Sequence, residues 1–344
     1  MTDGFTGDVP GLDLERLREF LEEASPGMSS GPLQARLVAG GKSNLTYVVT
    51  DGVGSWIVRR PPLGHVLATA HDMAREHRVI TALRDTDVPV PATYALCEDG
   101  DVVGAPFYVM ELVDGTPYRF AADLEPLGAP RTETISRRLI DTLATLHRVD
   151  PTAVGLSDFG RPEGFLSRQV RRWKKQLDSS RSRDLAGADD LHALLERTVP
   201  AESAPGIVHG DFRLDNLLVD EKDRVAAVID WEMATIGDPL TDVGLLLVYQ
   251  RMAEVDTGGS VADASTAPGF LSNDAMLARY AEGSDRDLST MGFYLGLAYF
   301  KLAVILEGIH YRYTQGQTVG TGFDAVGALV EPLLHAGTTA LKEH

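Results

Sequence analysis

The chain has 344 residues, of which 44% are apolar, and a formal charge of −18. That length and apolar content supply a sizeable core, suit two lobes better than one domain, and exclude global disorder. So acidic a surface repels phosphate backbones and anionic lipid, which excludes loose binding to nucleic acid or to a membrane surface.

The N-terminal "MTDGFTGDVPG" is acidic and lacks the apolar core of a secretory signal, so a cytoplasmic setting is expected. Residues 12–24 read as an amphipathic helix, with Leu14, Leu17 and Leu21 on one face and Asp13 as its cap. "LQARLVAGG", "LTYVVTD" and "SWIVRRP" follow as strands, the last two joined by the turn signal "DGVG" at 51–54. A helix is expected over 69–84, capped by Thr69 and ended by the prolines of "DTDVPVP". "TYALCEDG" and "PFYVMELVDG" give two more strands with "DGDVVGA" as their turn. Cys97 is the single cysteine, which leaves no intramolecular disulfide, and no Cys/His set has zinc-ligand spacing. From about 130 onward helices dominate, over 131–148, 163–178, 189–198, 239–253, 273–282 and 287–314. The longest unbroken apolar runs, "VGLLLV" and "LAVIL", are too short to cross a bilayer, and no membrane or protein partner is expected. The pattern is α+β: a small antiparallel lobe over 1–113 with one main helix, then a larger helical lobe over 114–344.

The helical part is interrupted by "IVHGDFRLDNLLVD" at 207–220. "NLLVD" and "VAAVID" read as the strands of a hairpin that turns at about 221–223. Such a hairpin brings Asn216 at one open end near Asp230 beyond the other, with the loop carrying Asp211 at that same end. Two carboxylates and an amide oxygen, without His or Cys, suit a hard cation such as Mg²⁺. A carboxylate left off the metal would accept a hydroxyl proton, and the set meets the needs of phosphoryl transfer. Asp215 reads as a loop or surface residue.

"HGDFRLDN" followed by "IDWE" at 229–232 resembles the motif pair of the aminoglycoside phosphotransferase and choline kinase superfamily. The resemblance covers nearly the whole chain. It implies a bilobal protein-kinase-like fold, ATP and Mg²⁺ as cofactors, Asp211 as catalytic base, and Asn216 and Asp230 as metal ligands, these three forming the catalytic set. His209 resembles the structural histidine of the catalytic loop, and Asp242 of "GDPLTDVG" would brace that loop through its backbone. The first lobe is then the nucleotide lobe. Gly40, Gly41, Lys42 and Ser43 of "AGGKSNLTY" would approach the phosphates through backbone N–H groups, although a plain hairpin loop explains that segment equally well. Arg59 stands where kinases carry a lysine, with Arg60 on the opposite strand face. Glu76 would hold Arg59, or else lie exposed on its helix. "FYVMELVDG" resembles the hinge, with Met110 as gatekeeper and the backbone of Glu111 and Val113 toward adenine.

The chain passes from "IDWE" almost at once to "GDPLTD", without an activation segment, which argues for a small-molecule acceptor. "FLSRQVRRWKKQLDSSRSR", 165–183, is basic within an acidic chain. It is either a solvated helix face or an anion site, with Arg168, Arg171, Arg172 and Lys175 as cations and Trp173 as a stacking surface. Tyr311 and Arg312, late in the last long helix, are further acceptor candidates. "VRRPPLGHVLATAHDMAREHRVITAL" and "RQVRRWKKQ" resemble the kinase domains associated with acyl-CoA dehydrogenases, which implies a hydroxyacyl-CoA acceptor. An aminoglycoside-type antibiotic phosphotransferase and a nucleotide-binding pseudokinase are the alternative readings.

Overall fold

The computed structural model describes residues 4–38, 44–64, 71–201, 204–255, 262–317 and 325–343. They form two compact units: one of 1–115 with 226–234, the other of 116–225 with 235–344.

The first unit opens with α1 (Leu14–Ala24), which buries Leu14, Leu17 and Leu21; the Asp13 side chain caps it by accepting from the Arg16 N–H. A five-stranded antiparallel sheet follows, built from β1 (Gln34–Leu37), β2 (Leu45–Thr50), β3 (Ser55–Arg60), β4 (Thr93–Cys97) and β5 (Phe107–Glu111) in the order β1-β2-β3-β5-β4. The β2–β3 turn is set by Asp51, whose Oδ1 accepts from the Val53 and Gly54 N–H groups at 2.9 and 2.7 Å while Gly52 takes a φ of 87°. α2 (Met73–Leu83) crosses between β3 and β4 in sequence, and "DGDVVGA" folds as a single short helix, α3 (Gly100–Val103), rather than as a plain turn. The α2 cap is Asp72, which accepts from the Arg75 N–H at 2.9 Å. The expected cap, Thr69, lies outside the described residues. One core cluster joins α1 to the sheet through Leu17, Leu21, Tyr47, Val49, Val58 and Phe107. Strand alternation separates the two arginines of β3: Arg60 turns to the α1 side, donating to the carbonyls of Gly11 and Val103.

The second unit is mainly helical. It contains α4 (Ala121–Leu124), α5 (Ala129–Arg148), α6 (Phe165–Ser180) and α7 (Ala188–Arg197), then β6 (Gly206–Val208). The hairpin strand β7 (Leu217–Val219) belongs here, whereas β8 (Val225–Val228) falls almost wholly in the first unit, and β9 (Thr235–Gly237) pairs antiparallel with β6. α8 (Leu240–Val255), α9 (Asn273–Glu282), α10 (Met291–Thr314) and α11 (Val330–Glu343) complete it. α11 is absent from the sequence-based reading, which stops at 314. α10 is long and apolar enough to cross a bilayer, contrary to the count of unbroken runs, yet 78% of its most apolar window is buried inside the protein. It reads as a core helix because glycines let its neighbours approach. A Cβ at Gly244 of α8 would sit 2.7 Å from the Tyr294 carbonyl oxygen of α10, and one at Gly296 of α10 would sit 2.7 Å from the Leu341 side chain of α11.

Candidate active site

In the second unit the polar loop after β6 is held from two sides. Asp242, in the first turn of α8, accepts from the His209 and Gly210 N–H groups at 2.7 and 2.8 Å. This is the backbone brace expected of it. Asp242 is fully buried; burial opposes its charge, but the His147 ring and the loop donors outweigh that and hold its carboxyl below the ordinary range. Burial likewise depresses His147, whose Nδ1 meets the Tyr280 hydroxyl at 2.8 Å. From the other side Lys301 of α10 donates to the Gly210 carbonyl at 2.9 Å. His209 is buried edge-on to Phe212, in keeping with a scaffold role.

Both oxygens of Asp211 receive a donor. The Tyr249 hydroxyl reaches Oδ1 at 2.9 Å, and the Asn216 Nδ2 reaches Oδ2 at 3.2 Å and the Asp211 carbonyl at 2.8 Å. Both Asn216 contacts are acceptors, so its nitrogen must face Asp211 and its oxygen is left for another partner. Asp215 is not a loose loop residue. Its two oxygens accept from Nε and Nη2, one edge of the Arg213 guanidinium, in a fork-to-fork pair, and Arg213 in turn stands 5.0 Å over the Tyr249 ring. Tyr249 was invisible to motif reading, although it lies two helical turns after Asp242 and hence on the same face of α8.

The first unit holds a second polar network. Arg59, 13% exposed, donates through Nε to Glu76 at 2.9 Å and through Nη2 to Asp230 at 2.5 Å, with Glu232 at 3.9 Å. Glu76 is 2% exposed, not a solvated helix residue. It also accepts from Asn44 Nδ2 and the Tyr108 hydroxyl, each at 3.0 Å. Burial disfavours the Arg59 charge, but Glu76, Tyr108, Asp230 and Glu232 outweigh it and raise its pKa. Burial pushes the Glu76 carboxyl up, and Arg59 and Tyr108 pull it back. Asp230 follows β8 with a left-handed φ of 66°, a conformation most residues avoid. Asn44 and Glu232, joined at 3.1 Å, and His71, 2.8 Å from the Asn44 Oδ1, belong to this network, although the motifs that contain Asn44 and Glu232 give neither of them a role.

The structure thus brings Asp211 to Asn216 within the second unit and Arg59, Glu76 and Asp230 together within the first. Gly40, Gly41, Lys42 and Ser43 lie outside the described residues. Met110 is buried at the end of β5, Glu111 pairs with Trp56 and accepts from the Ala92 N–H, and Val113 is half-buried just beyond. The basic helix α6 divides. Arg168 donates to the carbonyls of Arg161 and Glu163, and Lys174 pairs with Asp178 and Asp189. Arg181 pairs with Asp184 and Asp189, and Arg183 with buried Glu307. Compensation for these cations comes largely from outside the segment, where a count along the sequence cannot see it. Arg171, Arg172 and Lys175 are exposed. The Arg172 Cζ and the Lys301 Nζ each stand 5.6 Å from the centre of the Trp173 ring. Burial depresses Lys301, with Asp211 and Asp242 opposing. Tyr311 and Arg312 are exposed in the last turn of α10.

Comparison with known proteins follows the same lines. A family model described as "Phosphotransferase enzyme family" matches residues 34–283. Acyl-CoA dehydrogenase family member 11 of Rattus norvegicus is 32% identical over 336 residues, which are 95% of this chain and 43% of that protein. The Gallus gallus counterpart is 32% identical over 96% of this chain and 44% of its own length. The chain therefore spans less than half of these relatives. Among solved structures, a Ralstonia eutropha JMP134 protein assigned to the aminoglycoside phosphotransferases has a TM-score of 0.84 and 31% identity, with 99% of both chains covered. The aminoglycoside phosphotransferase APH(4)-Ia, in ternary complex with ADP and hygromycin B, has a TM-score of 0.60 at 17% identity, over 94% of this chain and 97% of that one, and shares the fold.

Proposed function

The chain belongs to the phosphotransferase enzyme family, and from that premise we propose that it transfers the γ-phosphate of ATP, with Mg²⁺, to a hydroxyl of a small anionic molecule. The observation that carries the reading is the Asp211–Asn216 pair: a carboxylate fixed by two donors beside an amide turned so that its oxygen is left for a cation. Asp211 would take the acceptor's proton as the acceptor oxygen bonds to the γ-phosphorus. The bond from that phosphorus to the β–γ bridging oxygen breaks, and ADP leaves. Arg59, held by Glu76, would bind nucleotide phosphate.

The donor chemistry fits Mg²⁺. Asn216 and Asp230 offer oxygen only. An ion of this kind takes few protein ligands and keeps waters and substrate phosphates in its shell. When bound, Mg²⁺ supplies charge neutralisation on the phosphates.

Two features favour an anionic acceptor over a polycationic aminoglycoside: the exposed Arg171, Arg172 and Lys175, and the two cations at the Trp173 ring beside the Gly210 loop. The acyl-CoA dehydrogenase relatives favour a hydroxyacyl-CoA within that class. The deciding experiment measures transfer from Mg·ATP to a panel of hydroxyacyl-CoAs, aminoglycosides and amino alcohols, with phosphate release to water as the baseline. Asp211→Ala is expected to lose turnover. Equal rates for the two proteins refute the enzyme reading and leave a nucleotide-binding module.

A further inference from the structure

We infer that Tyr249, supported by the Arg213–Asp215 pair, is a positioning residue for the phosphotransfer step, fixing the plane of the Asp211 carboxylate; this rests on the reading of Asp211 as the base. The terminal torsion of an aspartate is broad and two-fold, so a carboxylate with free oxygens samples many planes. Here the Tyr249 hydroxyl meets Oδ1 at 2.9 Å, and the bond from Asn216 to Oδ2 is longer, at 3.2 Å. The shorter bond fixes the plane, and Oδ2 keeps a lone-pair direction for the acceptor proton.

The hydroxyl is committed to donating. Burial raises the Tyr249 pKa, and the neighbouring Asp211 charge raises it further, so it stays protonated. Its ring is also held. The Arg213 guanidinium stands 5.0 Å from the ring centre, and both Asp215 oxygens grip its Nε–Nη2 edge. Burial opposes the Arg213 charge, and Asp215 outweighs it, so the cation persists. Asp215, Arg213, Tyr249 and Asp211 therefore form one chain of contacts. Its anchor is α8, the helix whose Asp242 already fixes the loop backbone. One rigid element thus braces the loop backbone at His209 and Gly210, just before Asp211, and through Tyr249 the Asp211 carboxylate itself, the arrangement that precise proton transfer requires.

Tyr249→Phe keeps the ring and removes the donor. Turnover is read as Asp211-dependent phosphate release from Mg·ATP, with water as the acceptor, and nucleotide affinity by titration with Mg·ADP. The expected result is a kcat lower by roughly 10- to 100-fold, the loss that follows misplacement of a reacting group, with the KM for Mg·ATP and the Mg·ADP affinity unchanged. In an Asp211→Asn background Tyr249→Phe is expected to add no further loss, because it acts through that carboxylate. Arg213→Met is expected to lower kcat, and Arg213→Lys, which restores a cation at the ring, to recover part of it. Wild-type kcat in Tyr249→Phe, or an equal fall in nucleotide affinity, overturns the inference while the phosphotransfer reading stands. A wild type without Asp211-dependent turnover overturns the phosphotransfer reading and the inference with it.

Discussion

Glu76→Gln is the sharpest probe of the Arg59 network. The substitution keeps volume and removes one charge at a site 2% exposed. In the wild type this carboxylate accepts from Arg59 Nε at 2.9 Å and from Asn44 Nδ2 and the Tyr108 hydroxyl at 3.0 Å each. A glutamine keeps one oxygen and turns an N–H₂ toward a donor, so at least one donor loses its acceptor. Removing one partner of a buried ion pair costs about 3–5 kcal/mol. Arg59 retains Asp230 at 2.5 Å and Glu232 at 3.9 Å, which places the expected loss at the lower end, about 3 kcal/mol. The assay is urea unfolding followed by tryptophan fluorescence in a Trp173→Phe background. That leaves Trp56 and Trp231 as reporters, both within the first unit. A loss below about 1 kcal/mol would mean that Glu76 pairs with Arg59 no better than an exposed residue does, and would refute the reasoning.

Two further outcomes bear on the second unit. Asp242→Asn turns an amide toward the His209 and Gly210 N–H groups and is expected to cost about 2–4 kcal/mol at neutral pH. The folded-state carboxyl is depressed, so its stabilisation is present above the ordinary value of 3.8 and is lost as pH falls through the lower folded value. The stability gap between wild type and variant should therefore narrow only below about pH 3.8, and narrowing at pH 5–6 in paired melts would contradict this sign. Charge reversal of Arg171 and Arg172 together is expected to raise the KM of an anionic acceptor about tenfold or more, with that of Mg·ATP unchanged. If neither constant moves in steady-state kinetics, the exposed side of α6 is a solvated face.

The elements that follow from local chemistry were legible in the chain. Leucine spacing and Asp13 gave α1, "DGVG" gave the β2–β3 turn, and the alternation of "SWIVRR" put Arg59 and Arg60 on opposite faces. The misses have a common cause. Asp72 replaced Thr69 as the α2 cap because both residues satisfy the same local rule, and only the path of the chain chooses between them. α10 escaped the search for membrane-length segments because its apolar surface is broken by glycine, tyrosine and lysine, which matter only once neighbouring helices are packed on it.

The residue types and their spacing by themselves determined the chemistry of the loop. A carboxylate, an amide five positions on and a second carboxylate past a hairpin are the residue types from which the hard oxygen ligands and the base are proposed. Partnership was decided only by the tertiary structure. Asp211 meets Tyr249 across 38 positions, Arg59 meets Asp230 across 171, and Lys301 meets Gly210 across 91. Asp215, which read as a surface residue, became the grip on Arg213. The physical reason is that hydrogen bonds and charge pairs act over a few ångströms of space. Periodicity reports which face a residue shares, and packing alone settles what stands opposite that face.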